Sequence, residues 1–447
     1  MSSEWSKALT ISELLSQKGG SIKTGPFGTA LKASEYVQIG VPLISVREIG
    51  HGVLHIDNKT PRVCEATLSR LPEYILQEGD IVFARKGGIE RCALIRSQQA
   101  GWFLGSDGIR LRPPESCDAR FIAYALQTKS VKDWLLQNST GSTMASLNQA
   151  TIGRLPLALP TINEQNKIAD TLEVFDDRIA LLRETNATLE AIAQALFKSW
   201  FIDFDPVHAK ARGEPPQGMD DATAALFPDS FEESELGMVP KEWRVQSFTQ
   251  TINVIGGGTP KTSIAEYWNG DIPWFSVVDA PTTTDVFVIG TEKHITVAGL
   301  NNSSTKLLPV GTTIISARGT VGRLALVGTE MAMNQSCYGL RGKAGDAYFT
   351  YFSTYRLVET LKQRTHGSVF DTITRDTLTG VSVIYPTTAV INAFEEAIAP
   401  VMERLKENLK QAQTLAQLRD TLLPKLISGQ LRLPEAEALL KETNLCQ

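Results

Sequence analysis

The stretch 141-GSTMASLNQATIGRLPLALP-160 is a Gly/Ser-rich loop that runs into an apolar strand and stops at Pro160. Its outline returns 226 residues later at 367-GSVFDTITRDTLTGVSVIYP-386, with Gly141 opposite Gly367, Ser142 opposite Ser368 and Pro160 opposite Pro386. The apolar alternation Ile152, Leu155, Leu157, Leu159 falls in step with Leu378, Val381, Val383, Tyr385. Solenoid units run to roughly 20–50 residues, so a period of this length predicts a whole domain copied once.

The repeat extends upstream. Residues 79-GDIVFARKGGIERCALI-95 resemble 311-GTTIISARGTVGRLALV-327; a one-residue gap sets Arg85 opposite Arg318. Before these, 41-VPLISV-46 matches 272-IPWFSV-277, and 4-EW-5 matches 242-EW-243 where each copy begins. Both copies are rich in β-branched residues broken at short intervals by Gly and Pro, which predicts two small α+β domains dominated by short strands.

Beyond each proline the pattern turns helical. Ile168, Leu172, Phe175, Ile179, Leu182, Asn186, Leu189, Ala193, Leu196 and Trp200 are spaced alternately four and three residues apart, a heptad pattern. Thr161 and Glu164 form a capping box that starts this helix near Asn163. Phe394, Ile398, Val401, Leu405, Asn408, Ala412, Leu415, Arg419 and Leu422 repeat the phase, and Pro424 is the expected stop. A helix of about 40 residues is about 60 Å long and cannot be buried inside one small domain. Packing on its own strand domain or a zipper between two chains would satisfy the heptads, but two matched helices in one chain favour an antiparallel pair.

A buried Asn costs least opposite another Asn, which fixes the register. With Asn186 facing Asn408, Leu172 meets Leu422, Ile179 meets Leu415, Leu189 meets Leu405, Leu196 meets Ile398 and Trp200 meets Phe394. Only Phe175 against Arg419 is mixed, and an Arg stem can lie along an aromatic face. This pairing predicts a pseudo-twofold axis near Leu182 to Asn186, with a strand domain at either end. Residues 203–243, rich in Pro, Gly and acid, read as a connector that is partly ordered at best.

The composition is that of a globular protein: 42% hydrophobic and 21% charged. No apolar run reaches the roughly 18 residues that a membrane span needs, and MSSEWSKALT lacks the regions of a signal peptide, so a cytoplasmic location without membrane contact is expected. The five cysteines are scattered, without a C-x-x-C pair, and the five histidines do not complete a metal site; reduced, structural thiols and no metal are expected.

The net charge of −5 is unevenly distributed. Residues 161–235 carry 6 Lys+Arg against 16 Asp+Glu, a balance of −10, whereas 1–160 carry 18 against 14, a balance of +4, and 236–386 carry 13 against 11, a balance of +2. Nucleic-acid binding follows local charge, so the acidic total does not exclude it.

Signatures of catalysis are missing. There is no G-x-x-x-x-G-K-[ST] loop, no G-x-G-x-x-G, no [N/D/S]-P-P-[Y/F/W], no H-E-x-x-H and no G-x-S-x-G. Catalytic residues are therefore expected to be none. Basic residues instead gather at Gly-containing turns of the strand domains: Arg85, Lys86 and Arg91; Arg110; Arg318 and Arg323; Arg341, with Lys261 at the second domain's entrance. Such side chains approach a duplex closely, for phosphate contacts or bidentate contacts to guanine. Solvated loop charges, or a shared structural salt bridge for Arg85 and Arg318, are the competing reading.

Several segments resemble the specificity subunit of type I restriction-modification systems: 24-TGPFG-28, 256-GGGTPKT-262, 267-YWNGDIPW-274, 316-SARGTVG-322, 334-NQSCYGL-340, 155-LPLALPTINEQNKIADTL-172, 195-ALFKSWFIDFDP-206 and 422-LLPKLISGQL-431. They cover nearly the whole chain in the family's order. The resemblance implies a non-catalytic DNA-recognition subunit with two target recognition domains (1–160 and 241–386), a central spacer helix (161–203), a connector (204–240) and a C-terminal spacer helix and tail (387–432). It further implies that the helices dock two methyltransferase subunits that use S-adenosylmethionine to methylate adenine. Restriction subunits, where the system has them, use ATP and Mg2+. The chain itself would hold no cofactor. The second helix begins 387-TTAVINAF-394 and lacks the Glu-Gln of 161-TINEQNKI-168, a departure from the family's pattern. Readings from other classes are a methyltransferase or methyltransferase-nuclease acting alone, and a protein-interaction scaffold.

Overall fold

A computed structural model describes residue 5 and residues 8–141, 145–281, 285–364 and 372–436. Glu4, Ser142, Gly367 and Ser368 of the repeat lie outside the described residues. The chain folds as two compact α+β units, Met1–Asp177 with Leu415–Gln447 and Arg178–Thr414, so each unit includes part of both long helices.

In the first unit a four-stranded antiparallel sheet runs in the order Ser21–Thr24, Gly108–Arg112, Ile81–Ala84, Cys92–Leu94. A second sheet runs Tyr36–Val37, Arg62–Val63, Val41–Ile44, Phe103–Leu104, with only the last pair parallel. Ile44 and Leu104 of one sheet join Val82, Ala84 and Ala93 of the other in one buried cluster; Ile81 and Phe83, on the opposite face of the strand, are buried too, so all four residues of 81-IVFA-84 are apolar. Leu9–Thr10 pairs with Pro156–Leu157 and so clasps the domain where the chain enters and leaves it.

The second unit repeats this plan. Ile252–Gly256, Cys337–Gly342, Thr313–Ser316 and Leu324–Val327 form the same antiparallel order, with Phe287–Val288 added at the edge. His294–Ile295, Trp268–Phe275 and Ala332–Met333 make the second sheet, again with one parallel pair. Arg244–Ser247 with Ser382–Tyr385 is the matching clasp. One close backbone approach is duplicated too. A Cβ on Gly25 would lie 1.8 Å from the Gly105 carbonyl oxygen, and one on Gly257 would lie 1.9 Å from that of Asn334, so only glycine fits at either position.

The long helices are Ile162–Phe201 and Thr388–Ser428. The Thr161–Glu164 capping box opens the first, with the Glu164 amide donating to Thr161 Oγ1 (3.4 Å) and the Thr161 amide to Glu164 Oε2 (3.2 Å). The second passes through Pro424 rather than stopping there. Proline removes one helical hydrogen bond, but Leu422, Leu423 and Leu426 are buried around it, and that burial holds the following turn. The helix ends at Gly429 (φ +78°), over which the Trp5 ring packs; Trp5 Nε1 donates to the Ile427 carbonyl (2.7 Å).

Residues 204–240 are ordered, against expectation. Helices Asp205–Ala211 and Asp221–Ala225 precede a hairpin of Phe231–Ser234 with Gly237–Pro240. Val207 and Phe227 from this segment are buried with Trp200, Phe201 and Trp243 in the second unit's largest core. Pro, Gly and acidic residues mark its turns and surface, while a few large apolar side chains supply enough buried area to fix it.

Each domain also grips the long helix that follows it. In the first unit Arg120 reaches Asp170 and Glu173 (2.7 Å each) and the Tyr124 hydroxyl donates to Asp176 (2.6 Å). In the second the Phe349 amide, at the start of helix Ala347–Arg364, donates to Glu395 Oε1 (2.7 Å). Burial pushes the Glu395 carboxyl up to about 7, with the nearby Asp346 adding to the rise. A carboxyl whose folded pKa lies above its unfolded value binds more protons folded than unfolded, so its contribution weakens as pH climbs from about 4.5 to 7. The difference in midpoint temperature between the wild type and Glu395→Gln is accordingly expected to shift in favour of the variant between pH 5 and pH 8. An identical pH profile for the two proteins would contradict the assignment.

Candidate nucleic-acid interface

Two turns are built alike. Ala84 N–H donates to the Arg91 carbonyl (3.0 Å) across the first, and Ser316 N–H to the Arg323 carbonyl (2.9 Å) across the second. Leu147 N–H donates to the Arg85 carbonyl (2.8 Å), and Ile373 N–H to the Ala317 carbonyl (2.9 Å). Bridges join Lys86 to Ser146 and Arg318 to Thr372. Position by position and without a gap, the backbone therefore matches Lys86 with Arg318, Arg91 with Arg323, and Arg85 with Ala317. The expected match of Arg85 with Arg318 is corrected: it aligned two identical side chains at the expense of the backbone.

The basic residues separate into two groups. Arg91 holds its own turn, donating from Nη2 to the Gly87 carbonyl (2.7 Å) and from Nε to that of Gly88 (3.3 Å). Arg323 donates to the Pro281 carbonyl (2.7 Å). Arg110 is buried at 7% exposure and is spent on the Glu73 carbonyl (3.2 Å) and Ser21 Oγ (3.3 Å); burial lowers its pKa. It is not placed to meet a duplex, which corrects its selection from sequence. Its neighbour Arg112 is committed to the buried Asp80 through two bonds of 2.6 and 2.8 Å.

The other group faces outward. Arg318, Arg341 and Lys261 are exposed, and among the described residues none of their side chains makes an ion pair. Lys86 is half exposed and 3.5 Å from Asp107. Arg85 lies 5.3 Å over the ring of Phe27, which is 60% exposed, unusual for an aromatic side chain. In each unit Lys86 or Arg318 stands where the turn, the entrance loop after Thr24 or Gly256 and a short helix converge, whereas Arg341, paired with Asn253 and four residues beyond the Cys337 that faces Ser316, lies at the other end of its strand. The short helices are Gln149–Gly153 and Arg375–Thr379, capped by Asn148 and Thr374. Sequence reading passed over Phe27, Asp107, Gln149 and Arg375, although the last pair falls on the same 226-residue offset as the opening stretch.

The helix-pairing residues meet in the second unit and are buried in the first. In the second, Asn408 Nδ2 donates to Asn186 Oδ1 (2.9 Å), and Asn186 Nδ2 donates to the Leu405 carbonyl (3.1 Å); both asparagines are buried. Trp200 and Phe394 lie 5.8 Å apart between ring centroids, so the chain directions are opposed there. Leu405 and Ile398 are buried, with Leu189 and Leu196 packed against their cluster. In the first unit Leu172 and Leu422 are buried, and the Arg419 guanidinium binds Asp176 Oδ1 (2.5 Å). Ile179 of the second unit and Leu415 of the first are each buried.

Among the described residues no group of His, Cys, Asp and Glu is arranged to hold a metal, and no helix is long and apolar enough to cross a membrane.

Comparison with known proteins adds the family. The specificity subunit of the type I restriction enzyme HindI from Haemophilus influenzae is 27% identical over 339 residues, 66% of this chain and 73% of that protein. The MjaIX specificity subunit from Methanocaldococcus jannaschii is 23% identical over 422 residues, 90% of each. A crystal structure of the S subunit of a type I restriction-modification system from M. genitalium has the same fold, with a TM-score of 0.53 at 17% identity over 95% of this chain and 96% of that one. The family model "Type I restriction modification DNA specificity domain" matches twice, at residues 27–191 and 240–419. The chain, with two copies of that domain joined to two long paired helices, belongs to the DNA specificity subunits of type I restriction-modification systems.

Proposed function

We propose that each unit reads one half of a split duplex target through the loop cluster around Lys86 or Arg318, and that the long helices dock two methyltransferase subunits. The duplicated cluster carries this reading: equivalent cations stand at the same backbone position of both units and face solvent. Phosphate contacts from such groups supply affinity, and base contacts from their neighbours supply the sequence. Methyl transfer from S-adenosylmethionine to adenine, and any ATP- and Mg2+-dependent cleavage, belong to the partner subunits. The assembly acts in the cytoplasm.

The test is to purify the chain alone and with its methyltransferase partner and to assay both on DNA. The isolated chain should transfer no methyl groups, and the complex should methylate a bipartite motif. Specific binding should fall steeply with salt, and Lys86→Ala or Arg318→Ala should each reduce the salt slope by about 1. Methyl transfer by the isolated chain would refute the reading.

A further inference from the structure

Gln149 and Arg375 occupy one and the same place in the two units. Each is the first residue of its short helix, two residues beyond the backbone bond that ties the segment to the basic turn (Leu147 to Arg85, Ile373 to Ala317). The caps match as well: Asn148 Oδ1 accepts from the Thr151 amide (2.8 Å), and Thr374 Oγ1 from the Thr377 amide (3.1 Å). Both side chains are exposed. Each leans on the strand leading into the Gly-rich entrance loop, Gln149 Nε2 on Thr24 Oγ1 (3.1 Å) and Arg375 Nη2 on the Val254 carbonyl (3.4 Å).

Those contacts orient the side chains without exhausting them. Gln149 keeps its carbonyl oxygen and one N–H, a donor-acceptor pair that fits the N7 and N6 edge of adenine. Arg375 keeps most of its five donors and, among the described residues, has no carboxylate partner; its fork fits O6 and N7 of guanine. On the turns beside them, Lys86 is a compact point charge suited to phosphate, and Arg318 stands at the equivalent backbone position of the second unit.

We propose that Gln149 and Arg375 are the equivalent base-reading positions of the two units, Gln149 taking an adenine edge and Arg375 a guanine edge. Because the backbones match and the side chains do not, this position gives the two half-sites different sequences. The proposal rests on the DNA-reading function above.

The test uses the full chain co-expressed with its methyltransferase partner, with methylated motifs mapped across a genome by single-molecule sequencing. Arg375→Gln and Arg375→Lys should each relax or change one base of one half-site, with a roughly ten- to hundredfold loss of preference for guanine there, and leave the other half intact. Gln149→Arg should do the same to one adenine of the opposite half. A split motif that survives all three substitutions unchanged overturns the proposal alone. Loss of methylation in Arg375→Gln together with an unchanged motif in Arg375→Lys also overturns it, because exchanging the fork of a bidentate contact for an ammonium weakens the preference for guanine. A wild-type motif that is not split refutes the two-reader function itself, and the proposal with it.

Discussion

Truncating Phe394 to Ala is expected to destabilise the second unit by about 3–5 kcal/mol, the usual cost of removing a large buried aromatic side chain. Phe394 has no exposed surface, and its ring lies within 5.1–5.8 Å of Phe201, Phe197 and Trp200, centroid to centroid. It holds together the end of one long helix, the start of the other and the connector core. The cavity left behind cannot collapse, because its walls belong to separate elements that are themselves packed: Phe352 on the domain helix and Phe227 on the connector join the same cluster. Denaturant unfolding followed by far-ultraviolet circular dichroism should show the second unit's transition moving to lower denaturant. A loss below about 1 kcal/mol would mean that the two helices are not joined through this residue.

Asp80→Ala is the matching experiment in the first unit. Asp80 is fully buried, receives both the Nε and Nη2 bonds of Arg112, and also accepts from the Gln77 amide (2.7 Å). Removing it leaves the Arg112 guanidinium uncompensated and the Gln77 donor without its acceptor. The expected cost is about 3 kcal/mol, the low end for breaking a buried pair, because the Arg112 side chain keeps 27% exposure. Adding Arg112→Leu should recover part of the loss, since the pair as a whole contributes little beyond what an apolar pair would. A double variant no more stable than Asp80→Ala would show that the damage comes from the backbone turn at Gln77 instead.

Much of this architecture is visible in the sequence because it rests on local, periodic signals. The heptads around Asn186 and Asn408, the Thr161–Glu164 box and the 226-residue echo each repeat a spacing that physics makes meaningful. The connector escaped because composition averages over position: Phe204, Phe227 and Trp243 are few among many Pro, Gly and acidic residues, yet they enter a core. Pro424 misled for the opposite reason, a strong local rule being overruled by burial of the leucines beside it. At the interface, strand alternation cannot say which of Arg110 and Arg112 is buried, and charge alone cannot separate an arginine that clamps its own turn, such as Arg91, from one that faces solvent, such as Arg318. Matching Arg85 to Arg318 by identity hid the true equivalence with Lys86, and with it the significance of Gln149 and Arg375.

The duplicated contact of Gly25 with Gly105 and of Gly257 with Asn334 bears on how such a protein acquires new targets. Where one backbone presses on another, no side chain is admissible, and both copies have kept glycine. A few residues away, where side chains project into solvent, Lys faces Arg across the duplication and Gln faces Arg. Evolvability is thus divided sharply within a single loop cluster. A library that randomises the exposed residues 86, 149, 318 and 375 varies the surface of the loop cluster at little cost to folding, whereas one that includes 25 or 257 spends its diversity on chains in which a Cβ would press into the backbone.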